Sequence, residues 1–321
     1  MTRILVYRAI GLGDFLTGVP ALRAVARAFP GANLCLASPA PLAPLTRLTG
    51  AVRTFLPTGE LAPPPWSYPP PSLAVNLHGR GPQSHRLLQA LAPHRLVAFA
   101  NPDAGVDGPK WRPDEHEVAR WCRLLDESGI PADPDDLDLA VPPASPPVHA
   151  ATVVHPGAVA SGRRWPVDRF AAVAEQLSAR GHYVVVTGVP SEGAAARAVG
   201  ERAGLPADRV LAGQLDLGGM AALVADARLV VCGDTGVGHL ATAYRTPSVL
   251  LFGAMSPTLW GPPSGRREHR VIWHGDRAGR PAKDGGPHPA LLAITVEEVL
   301  AAVEEVERAG RAAPVGVKPL P

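Results

Sequence analysis

The sequence predicts an α/β protein in which two domains follow one another, each built on a parallel sheet. Short apolar runs alternate with amphipathic stretches along nearly all of the 321 residues, and this alternation is typical of successive βαβ units. A proline-rich segment, residues 141–147, separates two such series and is the best candidate for a linker. We therefore predict two Rossmann-like domains, residues 1–147 and 148–310, whose sheets face a central cleft, and a flexible tail over 311–321.

In the first series, hydrophobic periodicity indicates four strands and two helices. The predicted strands are 4–7, 33–37, 73–77 and 96–99. The first helix is predicted over 15–29, because Leu16, Val19 and Leu22 recur on one face. The second is predicted over 83–91.

The second series repeats this pattern after the linker. The predicted strands are 152–155, 183–187, 209–211, 227–232 and 248–252, and the predicted helices are 167–179, 191–203 and 216–225. The run 183–187 is rich in β-branched residues, as expected for a strand covered on both faces of its sheet. The last helix begins at a capping box formed by Thr295 and Glu298.

Composition argues against several classes of protein. The formal net charge is +2 and the basic residues are dispersed, so dedicated nucleic-acid binding is not expected. The three cysteines lie far apart, which fits a reducing cytoplasm. Residues 1–15 include Arg8 and Asp14 and do not resemble a signal peptide, and no run approaches the ~18 apolar residues of a membrane span. We expect a cytoplasmic monomer with at most peripheral membrane association.

The most informative stretch is residues 233–240, GDTGVGHL, between a predicted strand and a helix start. Glycines let a backbone approach an anion, and the first N–H groups of a helix point toward it. We therefore predict that Asp234, Thr235 and Gly236 bind phosphate, with His239 beside them. The alternative is that Asp234 or Thr235 N-caps the helix, and a capped helix can still present other N–H groups.

A second loop, after strand 152–155, combines small residues with two arginines. Gly157 and Ala158 are followed by Arg163 and Arg164, just ahead of a predicted helix. Guanidinium groups match phosphate oxygens and never lose their charge. We predict that at least one of these arginines contacts a diphosphate, the alternative being a solvated arginine pair.

Glu192 follows the second strand of the second series. An acidic residue at that place often bonds ribose hydroxyls. It is equally typical of a helix first turn, where the dipole favours negative charge. Both interpretations of Glu192 stay open.

The turn after the first strand contains Gly11 and Gly13, the spacing that begins a dinucleotide-binding motif. Leu16 stands where the third glycine is needed, and Asp14 places negative charge where a pyrophosphate would bind, so NAD binding is disfavoured. A carboxylate at this place suits a general base that faces the cleft. The alternative is that Asp14 N-caps the first helix.

The sequence predicts no metal and no other cofactor. Residues 133–138 contain a DxD but lack the glycine and terminal glutamate of a calcium loop. His78 and His85 have no carboxylate partner at ligand spacing. No GxSxG motif for covalent catalysis stands out.

Four groups of residues carry a family resemblance, in order along nearly the whole chain. They are residues 4–8 with Gly13, Asp14 and 20–23; VNLHG at 75–79; HPGA at 155–158 with RRWP at 163–166; and DTG at 234–236 with His239, LFG at 251–253 and WGP at 260–262. Together they resemble glycosyltransferase family 9, the ADP-heptose:lipopolysaccharide heptosyltransferase family. The fourth group is the most specific.

The resemblance implies a GT-B architecture, with the acceptor on the first domain and the nucleotide-sugar on the second. It implies a metal-independent transfer that inverts the anomeric centre, with Asp14 as the base. Arg163 stands where the family usually has a lysine on the leaving diphosphate. Residues 234–236 would hold the phosphates and the nearby sugar, and His239 would support that site.

The substrates implied are a nucleotide-diphospho-sugar donor, ADP-heptose by resemblance, and a glycan, glycolipid or natural-product acceptor. Gly13, Arg80 and Ser84 are candidates for acceptor contact, although surface solvation also explains Arg80 and Ser84. Asn76 stands where the family frequently has an aspartate.

Two other classes of function are compatible with the same fold. One is an epimerase or an NAD dehydrogenase, and the incomplete glycine motif argues against the dehydrogenase. The other is a nucleotide-sugar-binding protein without transferase activity. Asp14 argues against it, because nucleotide binding alone requires no carboxylate there.

Overall fold

The computed structural model describes residues 2–275 and 286–312. The chain divides into two units. The first unit is Met1–Ala144 with Asp216–Ala221 and Thr258–Trp260, and the second unit is Ser145–Leu215 with Ala222–Pro257 and Gly261–Pro321. The main division therefore falls within the segment 141–147 that the sequence marks as a linker.

The first unit contains a five-stranded parallel sheet. Its strands are β1 (Arg3–Tyr7), β2 (Asn33–Ser38), β3 (Thr54–Pro57), β4 (Leu73–Asn76) and β5 (Leu96–Val97), in the order β3-β2-β1-β4-β5. Its helices are α1 (Leu12–Thr17), α2 (Val19–Ala28), α3 (Ala43–Thr46), α4 (Gln83–Gln89) and α5 (Glu117–Asp126). The predicted strands are confirmed, and β3, α3 and α5 are additional to the prediction.

The single helix predicted over 15–29 is wrong, because the chain forms two helices that meet at Gly18. Pro20 has no N–H to donate to Leu16, so one helix cannot run through this point. A Cβ at Gly18 would lie 2.8 Å from Cδ of Arg8, so only glycine leaves room for that side chain. The first helix begins at Leu12, which places Asp14 inside it.

The second unit contains another five-stranded parallel sheet. Its strands are β6 (Thr152–His155), β7 (Val184–Val186), β8 (Leu229–Gly233), β9 (Ser248–Phe252) and β10 (His269–Trp273), in the order β10-β9-β8-β6-β7. The helices after Ser145 are α6 (Val167–Ala179), α7 (Gly193–Arg202), α8 (Leu217–Asp226), α9 (Gly236–Tyr244), α10 (Pro257–Trp260), α11 (Pro289–Ala293) and α12 (Val296–Ala312).

The strand predicted over 209–211 is wrong. Residues 207–209 form a short 3-10 turn, and Val210 makes an isolated bridge to Val186. The capping box before α12 is confirmed, since Thr295 N–H donates to Glu298 Oε2 at 2.8 Å and Glu298 N–H donates to Thr295 Oγ1 at 3.2 Å. The helix runs to Ala312, into the predicted tail, and residues 313–321 lie outside the described part of the chain.

The core of the second unit is aliphatic, with Trp165 and Phe170 as its large aromatic members. Their rings meet edge to face with centroids 5.0 Å apart, and the indole N–H of Trp165 donates to the carbonyl of Ile294 at 3.2 Å. This contact anchors the end of the loop that leads from β6 into α6. Of the helices described, none is both long and apolar enough to cross a membrane.

Candidate functional site

Each sheet has one point at which the strand order reverses, and ligands of such sheets bind there, beyond the carboxyl ends of the strands. In the first unit that point lies between β1 and β4, where Tyr7 pairs with Asn76. In the second unit it lies between β6 and β8, where His155 pairs with Cys232. The residues predicted from sequence fall into two groups at these edges, which we name the first-unit site and the second-unit site.

Asp14 is the central carboxylate of the first-unit site. It lies in the first turn of α1, whose N-cap is Gly11, so the interpretation of Asp14 as the N-cap is wrong. Its side chain is 27% exposed. Gly13 precedes it and is half-buried. The carboxylate is therefore accessible while its helix is anchored behind it.

That anchor is Arg8, the residue that follows β1 and is fully buried. Its guanidinium donates to the carbonyls of Asp14 and Leu77, and its Nη2 donates to Thr17 Oγ1 at 3.0 Å. Nη2 also lies 3.9 Å from Asp14 Oδ1. Arg8 thus joins the ends of β1 and β4 to helix α1.

Glu117, the first residue of α5, completes this buried ionic group. Its Oε1 accepts from Arg8 Nη2 at 3.2 Å and from the indole N–H of Trp121 at 2.8 Å. Its Oε2 pairs with Arg120. The Trp121 ring also lies 4.7 Å from the guanidinium carbon of Arg8, a cation–π contact. Both carboxylate oxygens of the buried Glu117 therefore have donors.

The loop after β4 forms a second polar network in the first unit. Asn76 Nδ2 donates to Ser84 Oγ at 2.9 Å and lies 3.0 Å from His85 Nδ1. His85 Nε2 donates to the carbonyl of Phe99 at 2.7 Å, which assigns its proton to Nε2 and leaves Nδ1 as the acceptor. Burial lowers the pKa of His85. An aspartate in place of Asn76 would have no N–H to donate to Nδ1 of the neutral His85 ring.

The acceptor candidates after β4 lie in different surroundings. Ser84 is buried and bonded to Asn76, so its hydroxyl serves the interior of the first unit. The side chain of Arg80 is exposed. The His78 ring contacts the Tyr7 ring in a tilted arrangement with centroids 5.1 Å apart. Burial, followed by the charge of Arg8, lowers the pKa of His78 to about 4. His78 is therefore neutral near pH 7.

The second-unit site brings together the loops that follow β6 and β8. Arg163 Nη1 lies 3.4 Å from Asp234 Oδ2, with side-chain exposures of 35% and 7%. The Nε of Arg163 is buried and has no hydrogen-bond partner among the described residues. The exposed Arg164 instead donates from Nε to the carbonyl of Ala158 at 2.9 Å, which closes the loop on itself.

The turn after β8 leads directly into α9. Thr235 occupies the N-cap position, but its side chain does not cap the helix. Its buried hydroxyl makes no normal hydrogen bond within the described residues and lies beside the thiol of Cys232, a weak donor. Gly236 is the first residue of α9, and His239 is half-buried one turn further. The turn therefore presents a helix start and a hydroxyl to the same place.

Two glycines let this turn pack closely. A Cβ at Gly233 would lie 3.2 Å from the carbonyl oxygen of Arg163, and a Cβ at Gly238 would lie 3.1 Å from Cδ2 of Leu250. Both distances are tighter than ordinary van der Waals contact. Small residues here therefore hold the loop after β6 and helix α9 against the sheet.

Glu192 and His155 form a buried pair beside the same site. Glu192 Oε2 accepts from the N–H of Val189 at 2.9 Å and lies 3.8 Å from His155 Nε2. His155 Nδ1 lies 3.0 Å from Thr187 Oγ1. Burial lowers the pKa of His155, and the Glu192 charge opposes that shift. The Glu192 carboxylate lies directly over Gly157, where a Cβ would be 2.1 Å from Oε2.

Sequence reasoning missed three of these residues: Arg8, Glu117 and His155. Arg8 could have been suspected, because a charged residue directly after an apolar strand is costly unless it is paired. Its partner Glu117 gives no comparable signal. Within residues 2–275 and 286–312, no cluster of three or more histidine, cysteine, aspartate or glutamate side chains could hold a metal ion.

Comparison with known proteins relates this chain to a family. The model of glycosyltransferase family 9 (heptosyltransferase) matches residues 107–280. Lipopolysaccharide heptosyltransferase 3 from Escherichia coli is 30% identical over 48% of this chain and 46% of its own length. Lipopolysaccharide heptosyltransferase 2 from Escherichia coli strain K12 is 34% identical over 43% of this chain and 41% of its own length. The chain thus spans about half the length of the curated relatives it matches.

A solved structure extends the likeness to the fold. The E. coli ADP-heptose lipopolysaccharide heptosyltransferase II superposes with a TM-score of 0.77 over 97% of this chain and 100% of its own, at 22% identity. The predicted α/β fold of GT-B type is thereby confirmed. Because the family model covers more than half of the sequence, this chain belongs to glycosyltransferase family 9, a family of heptosyltransferases.

Proposed function

We propose that this chain is an inverting, metal-independent glycosyltransferase that moves heptose from ADP-heptose to a hydroxyl of a glycan or glycolipid. The observation that carries the proposal is the pairing of Arg163 with Asp234 at the start of α9, at the strand-order reversal of the second sheet. The curated relatives are heptosyltransferases, which supports heptose as the sugar. The E. coli enzyme that shares the fold is an ADP-heptose heptosyltransferase, which supports ADP as the nucleotide.

We assign the leaving diphosphate to the second-unit site. As the sugar–oxygen bond breaks, negative charge grows on the diphosphate and must be stabilised by fixed donors. Arg163 offers a guanidinium whose buried Nε still needs an acceptor. Thr235 and Gly236 offer a hydroxyl and a helix start at the same place. Asp234 orients the guanidinium and, with His239, would contact the nearby sugar.

We assign the ribose to Glu192. Its carboxylate is oriented by the N–H of Val189 and faces His155, so it has a fixed direction at the carboxyl end of β7. The two oxygens of an oriented carboxylate can accept from two neighbouring hydroxyls. Gly157, in the loop with Ala158, leaves room for this carboxylate because it has no side chain to displace it.

In the proposed reaction Asp14 is the general base and the first unit binds the acceptor. The acceptor oxygen bonds to the anomeric carbon, the bond from that carbon to the diphosphate breaks, and the acceptor proton passes to Asp14. Inversion requires the base on the face opposite the leaving group. Gly13 and the exposed Arg80 are candidates for acceptor contact. The relatives' names favour a lipopolysaccharide acceptor.

We further propose that the enzyme acts as a cytoplasmic monomer and needs no cofactor. The three cysteines are free and buried, as expected in a reducing compartment.

The test is a transfer assay with purified protein and a panel of ADP-, GDP-, UDP- and dTDP-sugars. We expect turnover with ADP-heptose. Asp14→Asn should abolish transfer, with ADP affinity by calorimetry unchanged. Asp103→Asn, at an exposed position of the first unit, is the matched control and should retain activity. Equal loss of ADP affinity in Asp14→Asn would show a structural role. ADP binding without transfer to any acceptor would favour a nucleotide-sugar-binding protein.

A further inference from the structure

We propose that Arg8 is the positioning residue of Asp14 and that Glu117 limits how strongly Arg8 acidifies it. Arg8 and Glu117 are 109 positions apart in the sequence. Together they would set the basicity of the Asp14 carboxylate. The role in turnover rests on the proposed function, whereas the effect on Asp14 itself is independent of it.

The geometry gives Arg8 two tasks at once. Its Nε binds the backbone carbonyl of Asp14, which fixes the first turn of α1. Its Nη2 lies 3.9 Å from Asp14 Oδ1, within the range in which an opposite charge stabilises a carboxylate. Gly18 leaves the space that this guanidinium requires. The same group therefore controls both the place and the charge state of the carboxylate.

Glu117 competes for that positive charge. Its Oε1 is 3.2 Å from the same Nη2 atom, closer than Asp14 Oδ1. Glu117 is itself 5% exposed, so water screens it little. Glu117 therefore shares the positive charge of Arg8 with Asp14, which leaves Asp14 more of the basicity that a general base needs.

Glu117 is itself shared with a second cation. Arg120 pairs with Glu117 through the opposite carboxylate oxygen. His78 has its pKa lowered to about 4 by burial and by Arg8, so it adds no charge near pH 7.

This arrangement predicts opposite effects for two substitutions. Removing the positive charge in Arg8→Met should raise the pKa of Asp14 by about one unit. Removing the competing negative charge in Glu117→Gln should lower it by a smaller amount. Arg8→Lys keeps the charge and should stay near the wild-type value. A merely structural role would not give opposite signs.

The experiment is a carbon-13 NMR titration of full-length protein labelled at aspartate carboxyl groups, with the Asp14 signal assigned by its loss in Asp14→Asn. Arg95→Met and Glu127→Gln alter exposed residues of the first unit and are the matched controls. Shifts of the same sign in Arg8→Met and Glu117→Gln, or no shift in either, would overturn the proposal. If Arg8→Met does not fold, the sign in Glu117→Gln decides.

Turnover supplies a second readout. The acid limb of the kcat profile should move to higher pH in Arg8→Met and to lower pH in Glu117→Gln. If the wild-type protein transfers no sugar, the proposed function fails, while the titration still decides the roles of Arg8 and Glu117. If the wild-type transfers sugar and the Asp14 signal does not move, the proposed function stands and this inference fails.

Discussion

The two sites fix their polar groups by different means. In the first-unit site a buried ionic group, centred on Arg8 and Glu117, holds helix α1 and the carboxylate on it. In the second-unit site glycines at 157, 233 and 238 let side chains and backbone pack closely around Asp234 and Glu192. The first site should therefore be sensitive to changes of charge and the second to changes of volume.

The two sites also differ in whether their arginines serve stability or binding. Arg8 is fully buried and bonded on several sides, whereas the side chain of Arg163 is 35% exposed and pairs with a single described carboxylate. A buried ion that loses its partner leaves an uncompensated charge, and an exposed one does not. The first arginine should therefore matter for folding and the second for the donor.

The largest expected effect is that of Arg163→Met on catalysis. Losing one donor to a developing anion typically costs about 10²–10³-fold in rate, or roughly 3–4 kcal/mol. The free energy of unfolding should fall by a smaller amount, about 1–3 kcal/mol, because the buried Asp234 loses a charged partner while Arg163 itself is partly exposed. Steady-state transfer kinetics and urea denaturation measure the two. Arg180→Met, at another exposed ion pair of the second unit, is the control. Unchanged kcat in Arg163→Met would move the diphosphate elsewhere.

A medium effect is expected for Gly18→Ala on stability. The new methyl group would press on Cδ and Nε of Arg8, at 2.8 and 2.9 Å. Overpacking of this kind costs about 1–2 kcal/mol. Gly31→Ala, where a Cβ meets nothing within 4 Å, is the matched control and should change little. Equal midpoints of urea unfolding for the two variants would show that the Arg8 side chain adjusts freely. That result would contradict the description of Arg8 as a rigid anchor of helix α1.

The smallest expected effect is on the pH dependence of stability, and both units should share it. Burial lowers the pKa of His78 in the first unit and of His269 in the second, each to about 4. Between pH 6.5 and pH 4 the unfolded chain binds protons that the folded chain does not, so the free energy of unfolding falls as pH falls. His269→Gln should reduce that loss by on the order of 1 kcal/mol.

Urea unfolding between pH 7 and pH 5 checks this dependence. The control is His94→Gln, at an exposed position of the first unit. In this variant the free energy of unfolding should change with pH as it does in the wild-type protein. If the free energy of unfolding of His269→Gln depended on pH as steeply as that of the wild-type protein, the assignment of this pH dependence to the His269 ring would be wrong.

The sequence predicted best what local signals decide. The α6 helix, the strands β6 and β9, and the box from Thr295 to Glu298 each carry their own propensity, cap or apolar run within a few residues. The turn at Asp234 was predicted for the same reason, because a strand, glycines and a helix start follow one another directly.

What the sequence did not predict depends on contacts between distant residues. Strands β3 and β10 lie at the edges of their sheets, and pairing with one neighbour decides whether they form. The break at Gly18 depends on Arg8 filling the space beside it. The pairing of Arg8 with Glu117 joins positions that no local pattern connects. Roles that depend on charge balance were therefore the hardest to infer.

The contact between Arg8 and Glu117 also has a consequence for biogenesis. A ribosome adds about 5–20 residues per second, so roughly 5–20 s pass before the 109 residues that separate the two have been joined. Throughout that interval Arg8, directly after the first strand, lacks the nearer of its two carboxylate partners. Final burial of that strand must therefore wait until α5 has been translated, although β1 and β2 are available to pair much earlier.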